Sequence, residues 1–139
     1  MAQTDTQGPT TGLTPHLTIR DGRGVEAIDF YKTAFAAHEA ARMTGEQSTK
    51  LMHAHLIVNH GSLMLADDWS QEMGVEPTAP PAAVTLHLQV DDVDAWYARA
   101  VAAGATAAMP PQDMFWGDRY GQVFDPFGHR WAIASPIAK

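Results

Sequence analysis

Apolar and polar residues alternate along several short segments of the chain, as they do in β-strands that bury one face. The clearest segment is residues 84–90, where Val and Leu occupy the even positions and Thr85, His87 and Gln89 occupy the odd ones. This alternation predicts a strand with one aliphatic face and one polar face.

Two further segments show the same alternation. In residues 13–19 the aliphatic set is Leu13, Leu17 and Ile19, and the polar set is Thr14, His16 and Thr18. In residues 50–59 the aliphatic set is Met52, Ala54, Leu56 and Val58, and the polar set is His53 and His55. We expect the aliphatic sets to pack under helices and the polar sets to face the other way.

Helical spacing of apolar residues appears in residues 25–36 and again in residues 93–103. Asp91 and Asp92 precede the second segment, and either of them can cap its start. Gly104 follows it, in a position where glycine commonly ends a helix. The pattern therefore predicts two amphipathic helices.

The two halves of the chain carry these elements in the same order. Residues 16–21 resemble residues 87–92, and a helix follows each of them. After the first helix, strands are predicted at residues 37–44, 50–59 and 62–67, with a tight hairpin turn at His60-Gly61. After the second helix, strands are predicted at residues 105–109, 117–124 and 130–135, the first of which ends at Pro110-Pro111.

This order predicts an α+β fold of two tandem βαβββ modules curved around a shared cleft. The modules are predicted at residues 13–68 and 83–139 and together form one domain. Residues 69–82, which contain three prolines and no periodicity, form the predicted linker. Residues 1–12 are polar and are predicted to be a disordered leader.

Composition excludes several classes of function. The net charge of −7 argues against nucleic acid or an anionic membrane as the main partner. The chain has no cysteine, so it has neither disulfides nor thiolate metal sites. No segment approaches the roughly 20 apolar residues of a membrane span, and nothing resembles a signal peptide. We therefore expect a cytoplasmic protein.

Two interpretations of the polar strand faces remain open. They can meet water, as in any one-sided antiparallel sheet. They can also line a binding cleft, which the choice of Thr and His over Lys and Glu favours.

Three pairs of segments form specific motifs. The first pair is TPHLTIRDG at residues 14–22 with AIDFY at 27–31, and the second is LMHA at 51–54 with LMLADD at 63–68. The third and most specific pair is MFWGDRYGQ at residues 114–122 with DPFGHRW at 125–131. Together these segments resemble the vicinal oxygen chelate superfamily of glyoxalase, bleomycin-resistance and dioxygenase proteins, and within it the PhnB-like branch.

The resemblance implies a cup-shaped site, a homodimer or pseudo-dimer, and in the metalloenzymes a divalent metal such as Zn, Ni, Mn or Fe. Their ligands, commonly His, Glu, His and Glu, come from the first and fourth strands of each module. Position by position, the second module places Thr85 and Ala132 at ligand positions, and alanine cannot bind a metal. We therefore expect no metal cofactor. The alternative is a non-standard site built on His16, Asp67 and His87, or on the two histidines with His53 or His55.

His16 and His87 occupy matching positions of the two halves and are the candidate acid–base catalysts, because imidazole exchanges protons near neutral pH. The segment before the seventh strand adds aromatic rings and an Arg that can grip a carboxylate or phosphate. The candidate ligand-binding residues are Thr14, His53, His55, Thr85, Gln89, Phe115, Trp116, Asp118, Arg119 and Tyr120. For Trp116, Tyr120 and Arg119, core packing and a local ion pair are the alternative roles.

The sequence thus predicts a metal-independent, PhnB-like protein that binds a small organic molecule. One alternative is a divalent-metal lyase, isomerase or dioxygenase of glyoxalase type. Another is a resistance protein that sequesters a drug or metabolite without any chemistry.

Overall fold

A computed structural model describes residues 8–137 of the chain. Residues 1–7 of the predicted leader lie outside the described residues, and residues 8–12 belong to no helix or strand. No helix in this range has both the length and the apolar composition needed to cross a bilayer.

The elements follow the predicted order, with one short helix added. They are β1 (His16–Ile19), α1 (Gly24–Phe35), β2 (His38–Thr44), β3 (Leu51–Val58), β4 (Gly61–Asp67), α2 (Ser70–Met73), β5 (Thr85–Gln89), α3 (Val93–Ala103), β6 (Thr106–Asp113), β7 (Asp118–Phe124) and β8 (Arg130–Pro136).

The two sheets have the same topology. The first has the strand order β1-β4-β3-β2 and the second the order β5-β8-β7-β6. In each, the first strand pairs in parallel with the last, and the other pairs are antiparallel. The predicted α+β fold of tandem βαβββ modules is confirmed, and the predicted cleft between the modules stays a prediction.

The described chain divides into two compact units. One comprises the residues up to Lys32 together with Ala36–Pro80, and the other comprises Thr33–Phe35 with the residues from Pro81 onward. Each unit contains one complete four-stranded sheet.

The first unit buries the aliphatic side of its sheet. Ile19, Leu56 and Leu65 of the strands and Ile28 and Tyr31 of α1 are fully shielded from water. Each such side chain stabilises the fold by about 1.5–3 kcal/mol relative to its exposed state. The prediction for Leu13 was wrong. Leu13 is fully exposed because β1 begins only at His16.

A β-bulge changes the predicted alternation in β3. Met43 pairs with His53 and Thr44 pairs with Leu51, so Met52 is an extra residue in β3. The bulge shifts the faces by one position. Leu51 is therefore buried, whereas Met52, predicted to be on the buried side, is 51% exposed.

The hairpin between β3 and β4 turns one residue earlier than predicted. Val58 pairs with Gly61, which leaves Asn59 and His60 as the two loop residues. Both have positive φ, at 45° and 76°. Two-residue hairpins with this backbone match the strand twist, and Asn tolerates the conformation.

The second unit is built around α3. Val93, Tyr97 and Ala100 of this helix are buried, as are Trp131 and Ile133 of β8. The Asp92 carboxylate accepts the N–H of Ala95 at 3.2 Å, so Asp92 is the cap. The predicted helix bounds are confirmed. Val84, predicted to share the aliphatic face, is 67% exposed because it precedes β5.

The edge strand β6 continues past the prolines at which it was predicted to end. Proline cannot donate a ladder hydrogen bond and is therefore confined to edges and bulges of sheets. Both conditions hold here, because β6 is the outer strand and its register is irregular between Met109 and Gln112.

The start of the linker is fixed to the end of β4 by Asp68. Its carboxylate accepts the backbone N–H of Ser70 and of Thr78, both at 3.0 Å, as well as both hydroxyl groups. These hydrogen bonds, with the Ser70 hydroxyl first, hold the pKa of Asp68 well below its usual range. Within the loop, α2 forms one helical turn that the sequence pattern did not predict.

Candidate functional site

In the second sheet, the side facing away from α3 carries mostly polar side chains. The strand register places them in three rows: Thr85, Arg130 and Phe124; His87, Ala132 and Gln122; and Gln89, Ala134 and Tyr120. Gly121, between two of these positions in β7, faces the Tyr97 ring of α3 instead. We call these nine residues the second polar face.

Hydrogen bonds connect neighbouring side chains on this face. Arg130 Nη1 donates to Gln122 Oε1 at 2.7 Å, and Gln122 Nε2 donates to the Tyr120 hydroxyl at 2.9 Å. These two bonds fix the orientation of the Gln122 amide. His87 Nε2 lies 2.8 Å from Gln89 Oε1. The second polar face is therefore organised by neutral groups and one cation.

Aromatic rings extend this face at the turn before β7. Trp116 meets Tyr120 edge-on with the ring centroids 5.6 Å apart, and Phe115 meets Trp116 in the same manner at 5.1 Å. Phe115 is 96% exposed and Trp116 is 49% exposed. Gly117 supports the turn with a φ of +102°, which few other residues adopt. Exposed rings beside a polar network are the composition expected of a ligand surface.

Asp118 and Arg119 do not join this arrangement. Arg119 lies on the α3 side, where its guanidinium pairs with Asp94 at 3.0 Å and with Asp113 at 3.1 Å. Asp118 shares the face of Tyr120 but lies at the far end of β7, opposite Pro136. Of the residues predicted in this segment, the structure groups Phe115, Trp116 and Tyr120 together.

A corresponding surface exists in the first unit, which we call the first polar face. It consists of His16, Thr18, His53, His55, Ile57, Ser62, Met64 and Ala66, with His16 and His55 both paired to Met64 and Ile57 paired to Ser62 in the register. Thr14 lies just before β1 and is half-buried.

Two histidines of the first polar face, His16 and His55, have lowered pKa values. His55 is buried, with Nε2 at 2.9 Å from Ser62 Oγ, and its Nδ1 has no hydrogen-bond partner. Burial lowers the pKa of His55, and the neighbouring His53 lowers it further. The same two causes, in the same order, lower the pKa of His16.

The carboxylate proposed for the alternative metal site lies on the other side of the first sheet from His16. Asp67 is 3% exposed, and its oxygens accept the backbone N–H groups of Gly24 and Leu51, both at 2.7 Å. Asp67 therefore anchors the start of α1, and it does not share a face with His16.

On the polar faces, β4 beside β1 and β8 beside β5 carry no carboxylate residue next to the histidines. Met64 and Ala66 lie next to His16 and Thr18. Ala132 and Ala134 lie next to His87 and Gln89. Between residues 8 and 137, no three His, Asp or Glu side chains form a group suited to a metal ion. The residues present do not fit the metal of the glyoxalase-type enzymes.

Five members of the second polar face were not predicted as site residues: Gln122, Phe124, Arg130, Ala132 and Ala134. Arg130 begins the last predicted strand, but nothing in the sequence indicated its hydrogen bond to Gln122. That contact depends on the pairing of β7 with β8.

Comparison with known proteins agrees with this fold. The profile of the Glyoxalase/Bleomycin resistance protein/Dioxygenase superfamily matches residues 14–133. The uncharacterized protein Rv0887c of Mycobacterium tuberculosis is 46% identical over 129 residues, which cover 90% of this chain and 74% of that protein.

Two solved structures are also similar. One is a gene product from Arabidopsis thaliana, with a TM-score of 0.69 and 28% identity, covering 91% of this chain and 99% of that one. The other is a putative 3-demethylubiquinone-9 3-methyltransferase, PhnB protein, from Bacillus cereus, with a TM-score of 0.67 and 18% identity, covering 90% and 99%. The chain belongs to the glyoxalase/bleomycin resistance protein/dioxygenase superfamily.

Proposed function

We propose that this protein is a PhnB-like member of its superfamily that binds a small organic molecule on the second polar face without a metal. The observation that carries the proposal is the hydrogen-bonded set of Arg130, Gln122 and Tyr120 next to the exposed ring of Trp116. Such a surface offers a ligand both directional polar contacts and apolar area.

The proposed absence of a metal role is supported by the strand register. The positions adjoining His87 and Gln89 hold Ala132 and Ala134, whose methyl groups cannot replace the missing carboxylates. His87 is the imidazole on this face, and imidazole is the side chain that most often serves as a general acid or base. We assign it the acid–base role if the bound molecule is converted.

The test is a binding screen with single-ring acids and their primary amides: benzoate and benzamide, phenylacetate and phenylacetamide, and cinnamate and cinnamamide. Binding is measured by calorimetry before and after dialysis against EDTA. We expect at least one pair member to bind, with the same affinity in both preparations. An affinity that appears only when Zn²⁺ or Ni²⁺ is added back would contradict the metal-independent role.

A pair of aromatic variants locates the site. Phe124→Ala removes a ring from the second polar face, and we expect it to weaken binding about tenfold, given the usual contribution of aromatic contacts. Trp96→Ala is the matched control, because Trp96 lies on α3 and bonds Asp91. It should retain affinity within about twofold. Equal affinity in wild type and Phe124→Ala, or no binding by any of the six compounds, would refute the proposal.

A further inference from the structure

Arg130 makes its contacts with neutral groups, whereas Arg119 on the other side of the same sheet is paired with two carboxylates. The Arg130 guanidinium donates to the Gln122 amide oxygen, and its Cζ lies 4.6 Å from the centroid of the Phe124 ring. None of the ion pairs among residues 8–137 includes Arg130. A guanidinium has five N–H donors in a planar fork, so one bond to Gln122 leaves most of them for a ligand.

Within residues 81–137, five of the six carboxylates bond to other groups, Asp91 and Asp92 on or beside α3 among them. Asp94 and Asp113 hold Arg119 on the opposite side of the sheet. Asp125 accepts the N–H groups of Phe127 and His129 and the indole N–H of Trp131. Asp118 is on the polar side but six strand positions from Phe124, a distance of roughly 20 Å. The Arg130 guanidinium therefore has no carboxylate partner among these residues.

A cavity of about 240 Å³ opens beside Arg130. Besides the arginine, its walls are the Phe124 ring, Gly128 and the segment of residues 81–84, which is Pro-Ala-Ala-Val. An apolar cavity of about 150 Å³ is enough to bind benzene, whereas drug-sized ligands occupy roughly 300 Å³ or more. The volume thus fits a molecule with one ring.

We propose that the ligand of the second polar face is a single-ring organic carboxylate, with its carboxylate on Arg130 and its ring in the cavity bounded by Phe124 and residues 81–84. This inference rests on the proposed function and adds the ligand class to it. A bidentate bond from Arg supplies both charge and direction, which a neutral analogue of the same shape lacks.

The test compares each acid of the panel with its amide, which has nearly the same shape and no charge. In the wild-type protein we expect an acid to bind at least tenfold more tightly than its amide. Arg130→Gln retains a planar hydrogen-bonding group but loses the charge, so the preference should fall to about one. Arg130→Lys retains the charge without the fork, and its preference should lie between these values.

Arg119→Gln is the matched control, because it removes the same charge from the opposite side of the same sheet. It should keep the full preference for acids, and thermal melts establish that each variant is folded. If the amides bind as tightly as the acids, or if Arg130→Gln keeps the preference, the assignment of the carboxylate is wrong while the binding function stands. If no compound binds, the binding function and the assignment fail together.

Discussion

His53 on the first polar face acts on two neighbouring imidazoles. It contributes to the lowered pKa of both His16 and His55, although burial is the larger cause in each. His55 accordingly combines a buried ring, one hydrogen bond to Ser62 and one unpaired nitrogen. A protonated imidazole carries an N–H on each ring nitrogen, and each N–H needs a hydrogen-bond acceptor. The surroundings of His55 supply no acceptor at Nδ1.

Replacing His53 with Gln should raise the pKa of both His16 and His55 toward 6.5, because it removes the repelling charge and leaves burial in place. Histidine ring resonances followed by NMR through the titration measure both values. His60→Asn is the control, since His60 lies in the exposed hairpin turn, where Asn tolerates a positive φ. Unchanged values in His53→Gln would contradict the assigned coupling.

Helix α1 begins without help from its own cap residue. Arg23 occupies the N-cap position and makes no capping bond with its side chain. The Asp67 carboxylate, at the end of β4, instead accepts the N–H of Gly24. The start of the helix therefore depends on a strand 43 positions further along the chain.

Gly24→Ala should destabilise the protein, although alanine is the better helix former by up to about 1 kcal/mol. A Cβ at this position would lie 2.8 Å from Asp67 Oδ1, and relieving such a clash typically costs about 1–3 kcal/mol. Chemical denaturation measures the change in the free energy of unfolding.

The partner substitution completes a double-mutant cycle. Asp67→Ala leaves the buried N–H groups of Gly24 and Leu51 without their acceptor, at about 1–3 kcal/mol for each. In that background Gly24→Ala should cost little, because the clashing carboxylate is gone. Asp29→Ala, at an exposed position of α1, should change stability by less than about 0.5 kcal/mol. Additive effects of Gly24→Ala and Asp67→Ala would argue against the contact.

Local patterns were enough to predict the order of elements, and they failed where the partner strand decides the outcome. The bulge at Met52 and the passage of β6 through Pro110 both depend on pairing. The site shows the same limit. Asp118, Arg119 and Tyr120 are consecutive in a strand, so they cannot all share one face, and a shift of one residue reverses the choice. In the structure, Tyr120 lies on the second polar face and Arg119 lies on the side of α3.

At the scale of the whole molecule, ionisation links pH to folding. His16 and His55 have lower pKa values in the folded state than the ordinary 6.5, so the unfolded chain binds these protons first as pH falls. The free energy of unfolding therefore keeps its full histidine contribution above pH 6.5 and decreases as the pH falls below that value. Asp68 has a pKa below the ordinary 3.8, so its contribution is present above that pH and is lost as the carboxylate becomes protonated.

We expect the melting temperature to fall in two stages between pH 8 and pH 3, with the first stage below pH 6.5 and the second near or below pH 3.8. Scanning calorimetry at constant ionic strength measures the profile. Asp68→Asn should reduce the second stage and leave the first unchanged, and His53→Gln should reduce the first. A melting temperature that is constant or rising from pH 7 to pH 5 would show that the histidine contribution has been assigned the wrong sign.

In both units the opening strand has its parallel partner at the end of the same unit. During translation, β1 can acquire its neighbour once residue 67 has left the ribosome. For β5 that neighbour is β8, residues Arg130–Pro136, so β5 must wait until residue 136 has been synthesised. The first sheet can therefore form on the nascent chain before the second, and the surface carrying His87 and Arg130 is completed later than the surface carrying His16.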